Sequence, residues 1–366
     1  LADFGEAEFE AAAEYRPSAP EPREIEQAIE LLTRAERIVI WCGGGAVTSA
    51  AGPAIAAISE RLGAPIVTSV MGKGSVPEDH PMVLGKLWDS GNPVDELLMS
   101  ADAVLVFGSK LGAMETRYQQ MPLPECLIRI DADPREITRN YTPKQTIVAD
   151  ARLAADALLA GLESAGLRKQ GWTADQVQEI KAATLDGAWG AEQKPYVDAL
   201  RRAIPRDGVL VSDMTMMGYV SSGRYPVYEP RTYLFPQGYG TLGFSLPAAI
   251  GAKIARPEAT VVSIVGDGGF QYTMQEVATA VQFKLGIPIV IFNDSTYTAV
   301  KSEQAQKYDR RYIAVDLINP DYLKLADAYG IPSVRAHSPE ELEQAILDAA
   351  KRDQPTIIDT PISFAS

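Results

Sequence analysis

The sequence is most informative at Ile264-Val265-Gly266-Asp267-Gly268-Gly269-Phe270, where an apolar run ends in glycines around one aspartate. The apolar residues predict a buried strand, and ligands of open parallel sheets bind beyond the carboxyl ends of strands. Glycines let a backbone approach a ligand closely, and their N–H groups can face phosphate oxygens. Taken alone, however, Asp-Gly after a strand is more often a simple turn.

A second pattern nearby strengthens the ligand-binding interpretation. A helix is predicted over 274–283 and another apolar strand over 287–293, which leads directly into Asp294. In a parallel βαβ unit both strands end at the same edge of the sheet, so the carboxylates of Asp267 and Asp294 are expected to meet there. With a backbone carbonyl from the following turn they would supply half of an octahedral magnesium shell, which diphosphate oxygens and water would complete.

The same alternation of apolar strands and amphipathic helices continues along most of the chain. It predicts an α/β fold class with two tandem doubly wound domains and mainly parallel sheets. The expected divisions are a proline-rich leader or linker (1–24), a middle Rossmann-like domain (25–165), a connecting segment (166–192) and a second α/β domain (193–366). The expected strands are 38–42, 65–69, 103–107 and 127–131 in the first domain, and 209–212, 261–265, 287–293 and 356–359 in the second.

Composition excludes several classes of function. The chain has 366 residues and a formal net charge of −14, which argues against nucleic acid or an anionic membrane as a partner. No apolar run is long enough to span a bilayer. Cys42 and Cys126 have no metal-ligand spacing, and they fit buried thiols in a reducing, cytoplasmic setting. Because His80 and His337 are the only histidines, a histidine metal site or triad is not expected.

Three collinear segments resemble a known family. Gly266-Asp267-Gly268, followed after 24 residues by Asn293, resembles the thiamine-diphosphate signature. Residues 238–251 resemble the GxGxMGxxLPAAIG segment of the acetolactate synthase and pyruvate decarboxylase superfamily. Asp131-Ala132-Asp133-Pro134 with Ile137 resembles the IDxDPxxI segment of its middle domain. The similarity covers about residues 25–366, so the chain is identified as a member of this superfamily.

The resemblance implies where thiamine diphosphate and Mg²⁺ bind. Asp267 and Asp294 would ligate the metal through their side chains, and Thr296 through its backbone carbonyl. Gly240 and Leu242 would be catalytic: the Gly240 carbonyl would accept from the 4′-amino group of the aminopyrimidine, and Leu242 would press that group toward the reactive carbon. The other cofactor-binding residues implied are Met214, Thr215, Gly266, Gly268, Gly269 and Tyr297.

Several of these residues also have a simpler structural interpretation. Leu242 could be an ordinary core leucine, Thr296 and Tyr297 could close a turn, and Asp213 could be a helix cap. Tyr297 and Lys301 could approach a substrate, but a solvated lysine is the more common case.

The sequence departs from the family pattern at two places. Asp294 stands where most members have asparagine, which adds a negative charge beside the diphosphate. Asp213-Met214-Thr215 stands where acetolactate synthases usually carry Gln-His-Gln, and this weakens that specific label.

The resemblance also implies a pyrimidine-binding domain, whose glutamate protonates the pyrimidine N1′. Glu8, Glu10 and Glu14 lie in the leader and do not follow a strand in the required context. We therefore expect a separate pyrimidine-domain subunit, in a heteromer with at least two copies of this chain. A truncated chain is the competing explanation.

The expected function is thiamine-diphosphate- and Mg²⁺-dependent decarboxylation or carboligation of a small 2-keto acid such as pyruvate. One alternative is a non-catalytic, cofactor-holding or regulatory subunit. Another is a module that binds FAD or a nucleotide through Gly43-Gly44-Gly45, although that spacing is not a clean GxGxxG and the usual acidic residue is lacking. Arg117 could reach a phosphate there, but a surface ion pair is favoured.

Overall fold

A computed structural model describes residues 16–86, 92–187 and 189–364. Most of the leader expected over 1–24 lies outside these ranges, as do Glu8, Glu10 and Glu14. The described residues form two six-stranded sheets whose strand pairs are all parallel, with helices packed on them. The expected α/β fold with two parallel sheets is therefore confirmed. No helix in these ranges is long and apolar enough to cross a membrane.

The first sheet has the strand order β3-β2-β1-β4-β5-β6. Its strands are β1 (Ile38–Cys42), β2 (Ile66–Thr68), β3 (Val83–Gly85), β4 (Ala103–Phe107), β5 (Cys126–Asp131) and β6 (Gln145–Val148). The accompanying helices are α1 (Pro22–Arg34), α2 (Gly44–Thr48), α3 (Gly52–Leu62), a 3₁₀ turn (Val70–Gly72), α4 (Pro93–Met99) and α5 (Ala151–Ser164). The central strands β1 and β4 are buried at every position, which explains their continuous apolar sequences.

The second sheet has the order β11-β12-β10-β9-β7-β8. Its strands are β7 (Val209–Ser212), β8 (Tyr233–Leu234), β9 (Val261–Gly266), β10 (Pro288–Asn293), β11 (Ser333–Arg335) and β12 (Thr356–Pro361). Between the two sheets the chain forms α6 (Ala174–Gly187). The helices of the second domain are α7 (Lys194–Ala203), α8 (Met216–Arg224), α9 (Ser245–Ala255), α10 (Asp267–Thr273), α11 (Glu276–Gln282), α12 (Thr298–Lys307), α13 (Tyr322–Tyr329) and α14 (Pro339–Ala349).

The structure refines the sequence-based elements in two ways. The helix expected over 274–283 is preceded by α10, so Asp267, Gly268 and Gly269 open a helix instead of forming a free turn. The strands β3, β6, β8 and β11 are not among the predicted strands, and each has only two to four residues. The first sheet falls within the expected domain 25–165 and the second within 193–366, whose boundaries stay predictions.

A buried ion pair lies where the first domain packs on the second. Lys73 Nζ contacts Glu78 Oε1 at 2.7 Å, and both side chains are at most 5% exposed. The Glu78 backbone N–H donates to Val227 O at 3.0 Å, and its Oε2 accepts from Val227 N–H at 3.3 Å. Lys181 on α6 donates to the Glu78 carbonyl at 2.7 Å. These contacts, with both the backbone and the carboxylate of Glu78, join the first domain, α6 and the second domain around one residue.

This arrangement predicts a strongly non-additive pair of mutations. Lys73→Met should lower the urea midpoint by an amount equivalent to about 3–5 kcal/mol, because it leaves the Glu78 carboxylate buried without its cation. Lys73→Met/Glu78→Gln should recover most of that loss, since glutamine still accepts from Val227 and neither side chain is charged. Equal midpoints for the single and double variants would show that the pair does not hold this interface.

Candidate functional site

Three strands of the second sheet end together at one edge. They are β7, β9 and β10, which end at Ser212, Gly266 and Asn293. The parallel register pairs Ser212 with Ile264 and Phe292 with Gly266, so the three ends are nearly level. The strand order reverses here, because β8 lies on one side of β7 and β9 on the other. Open α/β sheets bind ligands at such a reversal.

Two carboxylates lie at this edge, as the sequence predicts. Asp267 is 2% exposed; burial raises its pKa, and the negative charge of Asp294 raises it further. Burial also raises the pKa of Asp294, whose carboxylate accepts from Thr298 Oγ1 and, at 3.4 Å, from Thr296 N–H. Two carboxylates that repel each other in a largely buried site would attract a hard divalent cation.

The turn after β10 is fixed by a distant segment. Thr296 Oγ1 and the Tyr297 N–H both donate to the Val315 carbonyl at 2.8 Å, and Thr296 forms an antiparallel bridge with Asp316. Within the described ranges, no group of three His, Cys, Asp or Glu side chains could hold a metal. The predicted site needs only two carboxylates, because its third protein ligand is the Thr296 backbone carbonyl.

The glycines after β9 are in close contact with two other predicted site residues. A Cβ atom on Gly266 would lie 2.7 Å from Thr215 Oγ1, and one on Gly268 would lie 2.4 Å from the Tyr297 ring. Both distances are too short for a side chain, so glycine is required unless Thr215 or Tyr297 moves. The structure therefore places these four residues, from three separate segments, beside Asp267.

Asp213 fixes the segment that carries Gly240 and Leu242. Its carboxylate is fully buried and accepts from the N–H groups of Met214 (2.7 Å), Gly243 (3.1 Å) and Ser245 (3.2 Å). Burial raises its pKa, although these hydrogen bonds act in the opposite direction. Asp213 is not the cap of the helix that follows it, since the N-cap of α8 is Thr215. Instead it binds the start of α9, which is 32 residues away.

The residues implied to contact the pyrimidine lie on this fixed segment. Gly240 has a φ of +74° and Gly243 a φ of +81°, which favour glycine. A Cβ on Gly240 would lie 3.0 Å from Met214 Cε, so the predicted site residues Met214 and Gly240 are neighbours. Leu242 is half-buried and belongs to none of the hydrophobic clusters among the described residues. The alternative of an ordinary core leucine is therefore not supported, and its role as a wedge stays a prediction.

A cavity of about 1230 Å³ lies between the two domains beside this segment. The second domain contributes residues 233–241, and the first contributes residues around Gly44, Ser109 and Asp131. Tyr239 in its wall is 97% exposed. The cavity is large enough for a molecule of cofactor size.

The glycine run after β1 is accounted for by packing. A Cβ on Gly43 would lie 2.2 Å from the Gly108 carbonyl oxygen, and one on Gly45 would lie 2.7 Å from Gly108 Cα. Arg117 forms a two-pronged ion pair with Asp95 at 2.5 and 3.0 Å. The sequence favours a surface ion pair, whereas these two side chains are only 19% and 11% exposed. Neither observation calls for a nucleotide, so the FAD alternative gains no support.

Lys301 is a partly exposed side chain paired with Asp316, and its charge acts against the burial that raises the pKa of Asp294. Its approach to a substrate stays a prediction. The Lys301 Nζ contacts Asp316 at 2.6 Å and lies 5.4 Å from the centre of the Tyr312 ring. The Asp316 carboxylate raises the pKa of Lys301, so Lys301 is a cation at neutral pH. Through Asp316, Lys301 supports the segment whose Val315 carbonyl accepts the hydrogen bond from Thr296.

Sequence reasoning missed Asn319. Its Nδ2 donates to Asp267 Oδ2 at 2.6 Å and to Asn293 Oδ1 at 3.0 Å. It is 52 residues from Asp267 and lies outside any helix or strand, so neither spacing nor periodicity indicates it. Asp213 did have a usable signal, because it directly follows a buried strand as Asp267 does.

Comparisons with known proteins match both domains. Residues 213–360 match the C-terminal TPP-binding domain of thiamine pyrophosphate enzymes, and residues 25–158 match the central domain of the same enzymes. The matched range 213–360 includes two of the three strand ends of the candidate site, Gly266 and Asn293. The third, Ser212, lies one residue before that range.

Similar curated proteins carry related names. A probable acetolactate synthase large subunit of Methanocaldococcus jannaschii is 31% identical, over 96% of this chain and 62% of that protein. A probable 2-ketoarginine decarboxylase of Pseudomonas aeruginosa is 35% identical, over 92% and 60%. The acetolactate synthase large subunit of Haemophilus influenzae is 30% identical, over 89% and 59%. The chain thus spans about three fifths of the length of these relatives.

Replacing Asp213 tests its structural role. Asp213→Ala should lower the free energy of unfolding by about 2–5 kcal/mol, because it leaves buried N–H groups without an acceptor. Asp213→Asn should cost less, since its carbonyl still accepts. Urea titration measures both, and Asp327→Ala, at an exposed position on α13, is the matched control with a change below about 0.5 kcal/mol. A loss for Asp213→Ala no larger than for the control would contradict the assignment.

Proposed function

Because the chain belongs to the thiamine pyrophosphate enzymes, with their central and C-terminal TPP-binding domains, we propose that it binds thiamine diphosphate with Mg²⁺. The proposed activity is decarboxylation or carboligation of a small 2-keto acid such as pyruvate. The names of the relatives support this class, since they include acetolactate synthases and a 2-ketoarginine decarboxylase.

One observation carries the proposal: two carboxylates from adjacent strand ends lie beside glycines that pack tightly against Thr215 and Tyr297. Asp267 and Asp294 are oxygen donors of the type that Mg²⁺ prefers, and their mutual repulsion favours a bound cation. The donor set therefore fits the metal. Asp267 and Asp294 would hold it through their carboxylates and Thr296 through its carbonyl, while Gly268 and Gly269 would offer N–H groups to the diphosphate.

The segment held by Asp213 would position the other end of the cofactor. When bound, thiamine diphosphate supplies the electron sink for the reaction, and the protein supplies geometry and electrostatics. The Gly240 carbonyl would accept a hydrogen bond from the aminopyrimidine, and Leu242 would press against the cofactor from below. The segment that carries both residues is anchored next to β7 by the hydrogen bond from the Gly243 N–H to Asp213, which would help to orient the cofactor.

A pyrimidine-binding domain would complete this site from the exposed side of the cavity. The nearly fully exposed Tyr239 on the cavity wall supports further covering of this face. We propose that a separate subunit supplies the domain, in a heteromer with at least two copies of this chain. A domain on the same polypeptide would serve the same chemistry, and native mass spectrometry of the protein purified from its own source distinguishes the two.

Removing one metal ligand tests the proposal directly. Asp267→Ala should weaken Mg²⁺-dependent binding of thiamine diphosphate by roughly 100-fold or more, because it removes both a ligand and a negative charge. Isothermal titration of thiamine diphosphate at saturating Mg²⁺ measures this, with Asp327→Ala as the control that should bind like wild type. Unchanged affinity in Asp267→Ala would overturn the metal assignment.

Turnover separates catalysis from the non-catalytic alternative. Release of CO₂ from 2-keto acids by the purified protein, lost in Asp267→Ala, is the expected result. Cofactor binding without any CO₂ release, even with a pyrimidine-domain partner present, would instead support a cofactor-holding or regulatory subunit.

A further inference from the structure

Asn319 bridges the two segments that carry the paired carboxylates. Its Nδ2 lies 2.6 Å from Asp267 Oδ2 and 3.0 Å from Asn293 Oδ1. Asp267 follows β9, whereas Asn293 is the last residue of β10 and precedes Asp294. One amide group therefore contacts both strand ends at which the metal is proposed to bind.

The amide group of Asn319 can face the Asp267 carboxylate in only one orientation, because an ionised carboxylate only accepts hydrogen bonds. Gln271 Nε2 donates to Asn319 Oδ1 at 2.9 Å. If the amide were flipped, its oxygen would face the Asp267 carboxylate and its nitrogen would face the Gln271 amide nitrogen, so both contacts would be repulsive. The nitrogen of Asn319 must therefore face Asp267.

The backbone around Asn319 is also held in place. The Leu317 N–H donates to the Ser295 carbonyl at 2.8 Å, and Asp316 bridges to Thr296. Asn319 itself is partly exposed, so its side chain is not needed to fill a core. Its position is set by the turn that carries the proposed carbonyl ligand.

The contact with Asn319 limits how Asp267 can bind a cation. Because Oδ2 uses one of its two lone pairs in this short hydrogen bond, it is the weaker remaining donor, and Oδ1 is favoured as the oxygen that binds a cation. Mg²⁺ demands near-ideal octahedral geometry and is satisfied by one oxygen of a carboxylate, whereas Ca²⁺ accepts six to eight oxygens and readily binds both oxygens of one carboxylate. A restrained carboxylate therefore suits the smaller ion.

We propose that Asn319 is a positioning residue that biases Asp267 toward a single bond with the cation and thereby favours Mg²⁺ over Ca²⁺. The inference rests on the proposed function, because it concerns the same metal site. Residues that orient a metal ligand typically change metal affinity by about 10- to 100-fold when they are removed.

The test compares two cations on the protein purified from its own source, so that any pyrimidine-domain subunit is present. Thiamine diphosphate is held at a fixed concentration while Mg²⁺ or Ca²⁺ is titrated, and cofactor binding is followed by quenching of intrinsic fluorescence. Asn319→Ala should raise the Mg²⁺ concentration at half-saturation by about tenfold or more, and the Ca²⁺ concentration by less than threefold. The preference for Mg²⁺ should thus fall at least severalfold.

Two further variants separate positioning from general support of the fold. Gln271→Ala removes a contact of Asn319 but leaves its bond to Asp267, so it should retain most of the wild-type preference. Asn319→Leu has a similar shape but no N–H donor and no added charge, so it should lose the preference as Asn319→Ala does. Equal weakening for both cations in the Asn319 variants would show a merely structural role and overturn the inference, as would no weakening at all.

Cofactor binding by the wild-type protein shows whether the role of Asn319 or the metal site itself is wrong. If wild type binds thiamine diphosphate with either cation and the Asn319 variants keep its preference, only the inference fails. If wild type binds the cofactor with neither cation, the proposed function fails, and the inference fails with it.

Discussion

The hydrogen bonds to the buried carboxylate of Asp213 are the interaction on which the candidate site depends. They join the end of β7 to the segment that carries Gly240 and Leu242 and to the start of α9. A carboxylate in this position costs desolvation free energy, as its raised pKa shows, and it is tolerated because backbone N–H groups satisfy it. It ties the segment to a strand end that neighbours the one leading into Asp267.

The first domain contributes to the site by packing. Its glycine run after β1 lets the backbone lie against Gly108, and the buried pair of Lys73 and Glu78 locks it onto the second domain at Val227. The cavity beside residues 233–241 exists because the two domains meet there. The central domain thus contributes one wall of the cavity and a brace for the second domain.

Much of the fold and part of the site could be predicted from the sequence. The apolar strands that lead into Asp267 and Asp294 place the two carboxylates together, since parallel strands fix which ends share an edge. The short strands β3, β8 and β11 escaped prediction because two or three residues cannot show a period. A helix cap is one interpretation of Asp213 from the sequence, but two of its three N–H partners, Gly243 and Ser245, are 30 and 32 residues away.

Asn319 could not be found from the sequence, because irregular segments carry no periodic signal and its position is set by tertiary contacts alone. The central claim is that the ends of β9 and β10 bind a divalent cation and a diphosphate. A crystal structure of the protein grown with thiamine diphosphate and Mn²⁺, with anomalous data for manganese, tests it most directly. The account predicts one manganese peak within coordination distance of both Asp267 and Asp294, with the diphosphate beside Gly268. A peak elsewhere, or a cofactor bound at the Gly43 loop, would contradict it.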